Sequence, residues 1–236
     1  MTTPQPVRTR NLFRSAYNAV LGTAQATIWP KNTAYVFPTV ASVMTLYSTS
    51  TADTTQAVLV EGLDSNYDEI SEVVALNGQT GTNTANQYLR VNGLTVLNDS
   101  PVGDIALGTG AATLGVPANT YGFIAATDNV SQSAVYTVPN GWSLFLTEGT
   151  LSMGGSSGSQ TVTANFYSRI NGVRYLTAKI IAANQFQPIP YNPEIEIPEK
   201  TDIWNNASTS SNTAGVAVTF NAVSYTHLTL PTKRIV

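Results

Sequence analysis

Short runs of alternating apolar and polar residues, separated by turn residues, dominate the chain. The clearest run covers residues 161–170, in which Val162, Ala164 and Phe166 point to one side and the intervening residues to the other. A period of two residues is typical of a half-buried β-strand. Asn171-Gly172 follows directly and predicts a tight hairpin turn, so that residues 175–181 form the returning strand.

A second hairpin is predicted over residues 57–76. Its two β-rich segments flank Gly62, Asp64 and Asn66, which tolerate the backbone angles of a turn. Further short strands are predicted at residues 87–91, 93–97, 104–108, 121–125, 142–147, 203–204 and 216–220. The prolines at positions 188, 190, 193 and 198 predict an edge or loop region. Strands at this spacing, with turns between them, favour a β-sandwich or a jelly roll.

The predicted fold class is therefore all-β, with two consecutive β-sandwich, jelly-roll-like units. We place the first unit at residues 34–133 and the second at residues 134–223. Residues 1–33 form a basic N-terminal arm. Within the arm Leu12, Ala16 and Val20 fall near helical spacing, so an extended strand and a partly helical segment are both allowed.

Composition supports a β fold and excludes several chemistries. Charged residues are 11% of the chain, while Thr and Ser supply 52 of its 236 residues, and such residues suit sheet surfaces better than helices. The absence of Cys removes thiol nucleophiles and disulfides. Any Ser-His-Asp or histidine-metal site would depend on His227, the only histidine. We predict no enzyme activity, no cofactor and no membrane segment.

The charge is unevenly distributed. Residues 1–52 carry a net charge of +4 and residues 53–150 a net charge of −9. The arm could neutralise phosphates, but the acidic body would repel nucleic acid, so no direct nucleic-acid contact is expected. We instead predict an arm that docks on an acidic protein surface. Its predicted docking residues are Arg8, Arg10, Phe13, Arg14 and Tyr17.

An acidic cluster between residues 64 and 72 allows three interpretations. Asp64, Asn66 and Asp68 place oxygen ligands at alternating positions, as a calcium loop does, but the glycine and the distal glutamate of a helix-loop-helix site are missing. Two of the carboxylates, such as Asp68 and Glu72, could form a glycosidase pair. The favoured interpretation is a solvated hairpin face, and no catalytic or metal site is assigned.

The last thirteen residues, SYTHLTLPTKRIV at 224–236, break the preceding strand pattern. They resemble a translated sequencing adapter that recurs at the ends of chains derived from metagenomes. We therefore predict that this tail is not native, and that His227 drops out of every functional argument.

Several segments together carry a resemblance to a protein family. They are VLVEGLDSNYDEISEVVALNGQT, YLRVNGLTVL, AVYTVPNGWSLFLTEGTLS, EIEIPEKTDIW and AVTFNAV, in this order. They resemble virion structural proteins of tailed bacteriophages of the kind known from marine viral metagenomes. The resemblance implies a non-enzymatic virion protein, a capsid decoration or cement protein or a head-tail accessory protein, assembled in the host bacterial cytoplasm.

The resemblance also implies the partners, which are coat or tail subunits. A homo-oligomer is expected because like subunits commonly close into rings, and we predict a trimer. The alternative is a tail-associated receptor- or glycan-binding β-sandwich module, which predicts an exposed aromatic strip or a metal site near Asp64 and Asp68. A carboxylate-based tailspike hydrolase is the third possibility.

Overall fold

The computed structural model describes residues 8–31, 33–154, 160–183 and 185–226, and these residues are almost entirely β-structure, which confirms the predicted fold class. One 3-10 turn lies at Gly78–Thr80. In the described part of the chain, no helix has the length and hydropathy of a membrane span. The strands are β1 Thr9–Leu21, β2 Ala26–Thr27, β3 Ser42–Ser48, β4 Ala57–Leu63, β5 Glu69–Ala75, β6 Thr82–Tyr88, β7 Arg90–Val96, β8 Ile105–Thr113, β9 Val116–Ile124, β10 Val135–Thr137, β11 Trp142–Gly154, β12 Thr161–Ile170, β13 Val173–Ala183, β14 Gln185–Ile197, β15 Asp202–Thr209 and β16 Ala214–Thr226.

Strands β3 to β9 form two antiparallel sheets that pack face to face. One has the order β6-β3-β8-β9 and the other the order β5-β4-β7. Their apolar faces meet in one core, which includes Met44 and Leu107 from the first sheet and Val60 and Leu94 from the second. We call these two sheets the central sheet pair. It lies within the predicted first unit.

The remaining strands form a second pair of packed sheets. One has the order β1-β16-β11-β14, and the other has the order β10-β15-β12-β13 with β2 paired to β15. Leu151 and Val216 of the first sheet pack with Val162 and Ala207 of the second. We call this the terminal sheet pair, because it contains the first and last strands. The jelly-roll connectivity and the separate domains stay predictions.

Both predicted hairpins are confirmed. Strand β4 pairs with β5 from Ala57 to Leu63, and β12 pairs with β13 through a turn in which Asn171 and Gly172 have φ angles of 51° and 80°. Positive φ at both positions is what a type I′ turn requires. The proline-rich segment also lies at an edge, since β14 is the last strand of its sheet.

The two strands predicted between residues 87 and 97 differ from those observed. Strand β6 ends at Tyr88, β7 begins at Arg90, and the two lie in different sheets of the central pair. The chain crosses at Leu89, whose N–H donates to the carbonyl of Leu63 at 2.8 Å. Leu89 is flanked by Tyr88 and Arg90, and no glycine or proline marks a turn there, so the local sequence does not indicate the crossing.

The predicted N-terminal arm is a strand of the molecule's own sheet. Strand β1 pairs antiparallel with β16 from Thr9 to Leu21, with one irregularity after Asn18. Its burial alternates every second residue over most of its length, which excludes the partly helical form for residues 9–21. The helical spacing was misleading because Leu12 and Ala16 also lie an even number of residues apart, and therefore on one face of a strand.

Strand β16 also extends past the predicted native boundary at residue 223. Ser224 pairs with Arg10 and Leu144, and Tyr225 pairs with Thr9 and Ser143. Residues 227–236, including His227, lie outside the described residues. The adapter origin of the tail stays a prediction.

Candidate functional site

The carboxylates of the acidic cluster accept hydrogen bonds from nearby loops and strands of the same chain. Asp64 Oδ1 accepts hydrogen bonds from the backbone N–H groups of Asn66 at 2.7 Å and Asp68 at 3.0 Å. Asp68 Oδ1 accepts a hydrogen bond from Asn140 Nδ2 at 2.9 Å. The carboxylate of Glu72 accepts hydrogen bonds from the backbone N–H groups of Ala85 and Asn86 within β6. No group of three or more metal-ligating side chains occurs among the described residues, and the calcium hypothesis for Asp64, Asn66 and Asp68 gains no ligand set.

Of the predicted docking residues, Arg10 contacts the molecule's own acidic region. Its Nη1 lies 2.6 Å from Glu69 Oε1, and its Nη2 donates to Tyr136 Oη at 3.4 Å. The guanidinium also lies 4.2 Å from the ring centroid of Trp142. Arg10 therefore links β1 to β5 of the central sheet pair, and the acidic surface that it contacts belongs to the same chain.

Arg14 also points inward, but it has no ion-pair partner among the described residues. Its guanidinium lies 5.0 Å from the ring centroid of Tyr136, and its Nε atom is buried without a hydrogen-bond partner. Burial lowers the pKa of Arg14, while Tyr136 and Glu61 act in the opposite direction. The strand thus brings a desolvated cation into the space between the two sheet pairs.

The other three predicted docking residues have different positions. Arg8 is exposed near the end of β16, where its N–H donates to Thr226 Oγ1 at 3.0 Å. Phe13 and Tyr17 lie on the opposite face of β1 from Arg10 and Arg14, and their exposed fractions are 63% and 42%. Docking on another protein stays a prediction for these residues.

Among the described residues, two clefts of several hundred Å³ lie where the sheet pairs meet. The first, which we call the Arg14 cavity, has a volume of about 330 Å³ and is lined by residues of β1, β4, β5, β7 and β10, including Arg14, Glu61, Ser71 and Asn92. The second has a volume of about 340 Å³ and is lined by Phe37, Tyr67, Arg90, Arg169 and Asp202, among others.

A buried ionic cluster forms the wall of the second cleft. Asp202 lies 2.6 Å from Arg90 Nε and 2.5 Å from Arg169 Nη2, and it also accepts a hydrogen bond from Thr137 Oγ1 at 2.7 Å. The side chains of Arg90 and Asp202 are 7% and 3% exposed, whereas Arg169 is 30% exposed. We call Arg90, Asp202 and Arg169 the Arg90 cluster.

Each nitrogen of the Arg90 guanidinium has a hydrogen-bond partner. In addition to Asp202, its Nη1 donates to the carbonyls of Pro38 and Leu89, and its Nη2 approaches Tyr67 Oη at 3.4 Å. Burial acts to lower the pKa of Arg90, but the hydrogen bond and charge of Asp202 outweigh it and raise that pKa. The cluster joins β7 of the central pair to β15 and β12 of the terminal pair.

Six aromatic rings form a continuous row across the junction. Successive ring centroids are 4.9 to 6.5 Å apart, within the range of favourable aromatic pairs. Phe37, in the middle of the row, also lies beneath Arg90 and Arg169. The rings are, in order, Phe123, Trp29, Tyr35, Phe37, Trp204 and Tyr167.

Sequence reasoning did not identify the Arg90 cluster. One signal was present, since Arg90 is the only basic residue between positions 53 and 150 and lies between Leu89 and Val91. A lone arginine in an apolar strand is expected to have a buried acidic partner. Nothing local indicates that Asp202, 112 residues away, is that partner.

Exposed apolar side chains concentrate on strand β13. Val173, Tyr175, Leu176 and Ile181 are 50% to 63% exposed. Phe186, at the start of β14, is 61% exposed. In the described part of the chain, β13 pairs only with β12, so its other edge is free. We call this set the β13 edge.

Comparison with known proteins yields structural matches alone. No family model matches the chain, and no curated protein matches it. Solved structures of VP2 from infectious bursal disease virus do match. A mutant VP2 in T=1 particles has 14% identity over 96% of this chain and 75% of that chain, with a TM-score of 0.24. The Gx strain structure has 15% identity over 98% and 78%, with a TM-score of 0.23. At these TM-scores the matches decide neither the detailed fold nor the function of this chain.

Proposed function

We propose that this protein is a non-enzymatic structural component of a tailed-bacteriophage virion. It acts as a capsid decoration protein or a head-tail accessory protein, through contacts with other subunits in the particle. Its sequence resemblance to phage virion proteins supports this proposal. The observation that carries it is the β13 edge, where four large apolar side chains are at least half exposed on one strand with a free edge.

The β13 edge suits a contact between like subunits. A free strand edge offers unpaired N–H and C=O groups, and exposed apolar side chains add buried area when a second chain covers them. Strand β1 is also at a sheet edge and exposes Phe13, Tyr17 and Val20. One subunit therefore carries two different apolar edges, and pairing the first edge of one copy with the second edge of the next would generate a ring where the rotation between subunits closes, as the predicted trimer requires.

The internal contacts are consistent with a subunit whose two sheet pairs are held firmly together. The Arg90 cluster and the aromatic row connect the two sheet pairs through buried groups. Arg10, which the sequence assigned to docking, already adds a third link within the chain. We therefore assign subunit contacts to the apolar edges and not to the arginines of β1.

Analytical ultracentrifugation of the full chain tests the contact mechanism. The wild-type protein is expected to sediment as a multiple of its 25.0 kDa mass, with a trimer as the predicted state. The triple variant Tyr175→Ser/Leu176→Ser/Ile181→Ser is expected to sediment as a monomer. A matched control places three serines at the exposed Val36, Val40 and Val102 of the central region and is expected to behave like the wild type. A monomeric wild type at tens of micromolar would contradict this mechanism.

Long-read sequencing through the gene and its neighbours tests the virion role. Portal, terminase or coat genes are expected beside it, with a different reading frame after residue 223. Neighbouring metabolic or secretion genes would contradict the virion role. Unbroken reads that encode the tail SYTHLTLPTKRIV would contradict the adapter hypothesis.

A further inference from the structure

Arg14 has an uncommon environment for a partly buried arginine. Arg10, Arg90 and Arg169 each have a carboxylate at 2.6 Å or less, whereas Arg14 has none in the described part of the chain. Its buried Nε makes no hydrogen bond. A desolvated charge without a partner destabilises a folded protein. The position therefore carries an energetic cost, which the ring of Tyr136 and the charge of Glu61, beyond ion-pair distance, offset only in part.

The space beside Arg14 can hold a small molecule. The Arg14 cavity has a volume of about 330 Å³, which is at the lower end of the sizes typical of ligand pockets. Five strands from both sheet pairs form its walls. Two sets of contacts hold the walls of the cavity together. Arg10 of β1 pairs with Glu69 of β5, and the side chain of Asn92 in β7 exchanges two hydrogen bonds of 2.9 Å with the backbone of Thr137 in β10.

The groups that line the cavity define the chemistry of its ligand. The planar guanidinium of Arg14 matches a carboxylate, which it can bind through two parallel hydrogen bonds. Ser71 and Glu61 line the same cavity from β5 and β4, and their oxygens can hydrogen-bond hydroxyl groups. A ligand with one carboxylate and several hydroxyl groups would satisfy both sets.

We propose that the Arg14 cavity binds a sugar acid of monosaccharide size, with its carboxylate on Arg14 and its hydroxyl groups on Ser71 and Glu61. This site is independent of the β13 edge and goes beyond the proposed structural role. A subunit can assemble through its edges and still present a small-molecule site between its sheet pairs.

Calorimetric titration of the full chain with sodium glucuronate tests the site, with glucose as the uncharged control. Glucuronate is expected to bind saturably at one site per chain, and glucose about tenfold more weakly or not at all, because it lacks the charge-assisted hydrogen bonds. Arg14→Gln is expected to weaken glucuronate binding by about tenfold or more. The control Arg174→Gln changes an exposed arginine outside the cavity and is expected to leave binding unchanged. Equal binding of glucuronate and glucose, or unaltered binding by Arg14→Gln, would overturn the proposal.

Glu61→Gln provides a second test that does not depend on the folding of the Arg14 variant. Glu61 is exposed and its carboxylate forms no ion pair among the described residues. The hydroxyl groups that Glu61 contacts are common to glucuronate and glucose, so their contribution cancels in the ratio of the two affinities. Because the negative charge of Glu61 opposes a bound carboxylate, its removal is expected to raise the preference for glucuronate over glucose roughly threefold to tenfold. An unchanged or lower preference for glucuronate would place the anion elsewhere. This test is separate from the ultracentrifugation, so each proposal can fail alone.

Discussion

The two clefts at the junction of the sheet pairs contain arginines in opposite situations. Arg90 forms hydrogen bonds to Asp202, to two backbone carbonyls and to Tyr67. Arg14 lies over one aromatic ring and has no ion-pair partner in the described residues. The same residue type thus stabilises the junction in one cleft and leaves an unsatisfied charge in the other. The comparison shows that the cost of burying a charge is offset where the groups that pair with it are buried beside it.

The largest expected effect is the loss of Arg90. Arg90→Met removes one of the two arginine partners of a carboxylate that is 3% exposed and leaves the carbonyls of Pro38 and Leu89 without their donor, and we expect the free energy of unfolding to fall by about 3–5 kcal/mol. Urea denaturation followed by fluorescence measures it. The exposed Arg174→Met is the control, with an expected change of about 0.5–1 kcal/mol through its contact with Tyr167.

A double variant separates pairing from packing in the Arg90 cluster. Arg90→Met/Asp202→Leu removes both buried charges and leaves Arg169, which is 30% exposed and can be solvated. We expect it to be more stable than Arg90→Met alone, in which the buried Asp202 keeps only Arg169 and Thr137 as partners. A loss below about 1 kcal/mol for Arg90→Met would mean that the cluster does not hold the junction together.

The next effect concerns a buried carboxylate whose partners are neutral. Asp53 accepts hydrogen bonds from Ser48 Oγ at 2.5 Å and from the N–H groups of Val102 at 2.9 Å and Gly103 at 3.0 Å. We expect Asp53→Asn to destabilise the protein by about 1–3 kcal/mol, which is less than the loss of Arg90. Asp99→Asn, at an exposed position, is the matched control.

The pH dependence of stability checks the same carboxylate. Burial acts to raise the pKa of Asp53, but its three hydrogen bonds outweigh this effect and lower that pKa below 3.8. A depressed pKa in the folded state contributes stability above the unfolded value near 3.8, and this contribution is lost as the pH falls through the folded pKa. The wild type is therefore expected to lose stability more steeply than Asp53→Asn below about pH 4. Parallel curves would contradict this assignment.

A smaller effect is expected for Arg10, which has a partner but remains partly exposed. Its side chain and that of Glu69 are 34% and 44% exposed, and such ion pairs contribute about 0.2–1 kcal/mol. We expect Arg10→Met to cost about 1 kcal/mol, because its stacking on Trp142 is also lost. Thermal unfolding at low and high salt measures the effect. The difference from the wild type should shrink at high salt, and a constant difference would assign the loss to packing.

The smallest expected effect on the free energy of unfolding is that of replacing Arg14, the arginine without an ion-pair partner among the described residues. Arg14→Met removes a charge without an ion-pair partner and keeps most of the apolar stem, so we expect stability to change by less than about 0.5 kcal/mol or to rise. Urea denaturation without added ligand measures it beside Arg90→Met. A loss above about 2 kcal/mol would show that Arg14 has a stabilising partner in solution.

Much of the fold could be predicted from local sequence. The Asn171-Gly172 hairpin, the turn capped by Asp64 and the edge position of the proline-rich segment follow from backbone preferences of residues next to one another. The sequence left the form of the arm open. Residues 9–21 have a pattern compatible with a helix or a strand, and only pairing with β16 along nearly their whole length makes them a strand.

The candidate site was predictable only in part. Arg10 and Arg14 stand out in a basic stretch, for which the sequence predicts docking on the acidic surface of another subunit or partner. It does not show that Arg10 pairs with Glu69 of its own chain. The roles of Phe13 and Tyr17 differ from those of the two arginines because alternate residues of a strand point to opposite faces.

The sequence by itself determined that this protein is all-β, that turns separate short strands, and that cysteine chemistry is absent. These properties depend on composition and on contacts between near neighbours. The tertiary structure alone decided that Arg90 meets Asp202 across 112 positions of sequence, and that Arg14 meets no carboxylate within the described residues. The reason is physical: whether a buried charge is paired depends on which strands pack together, and strand pairing over such separations leaves no mark on the local alternation of residues.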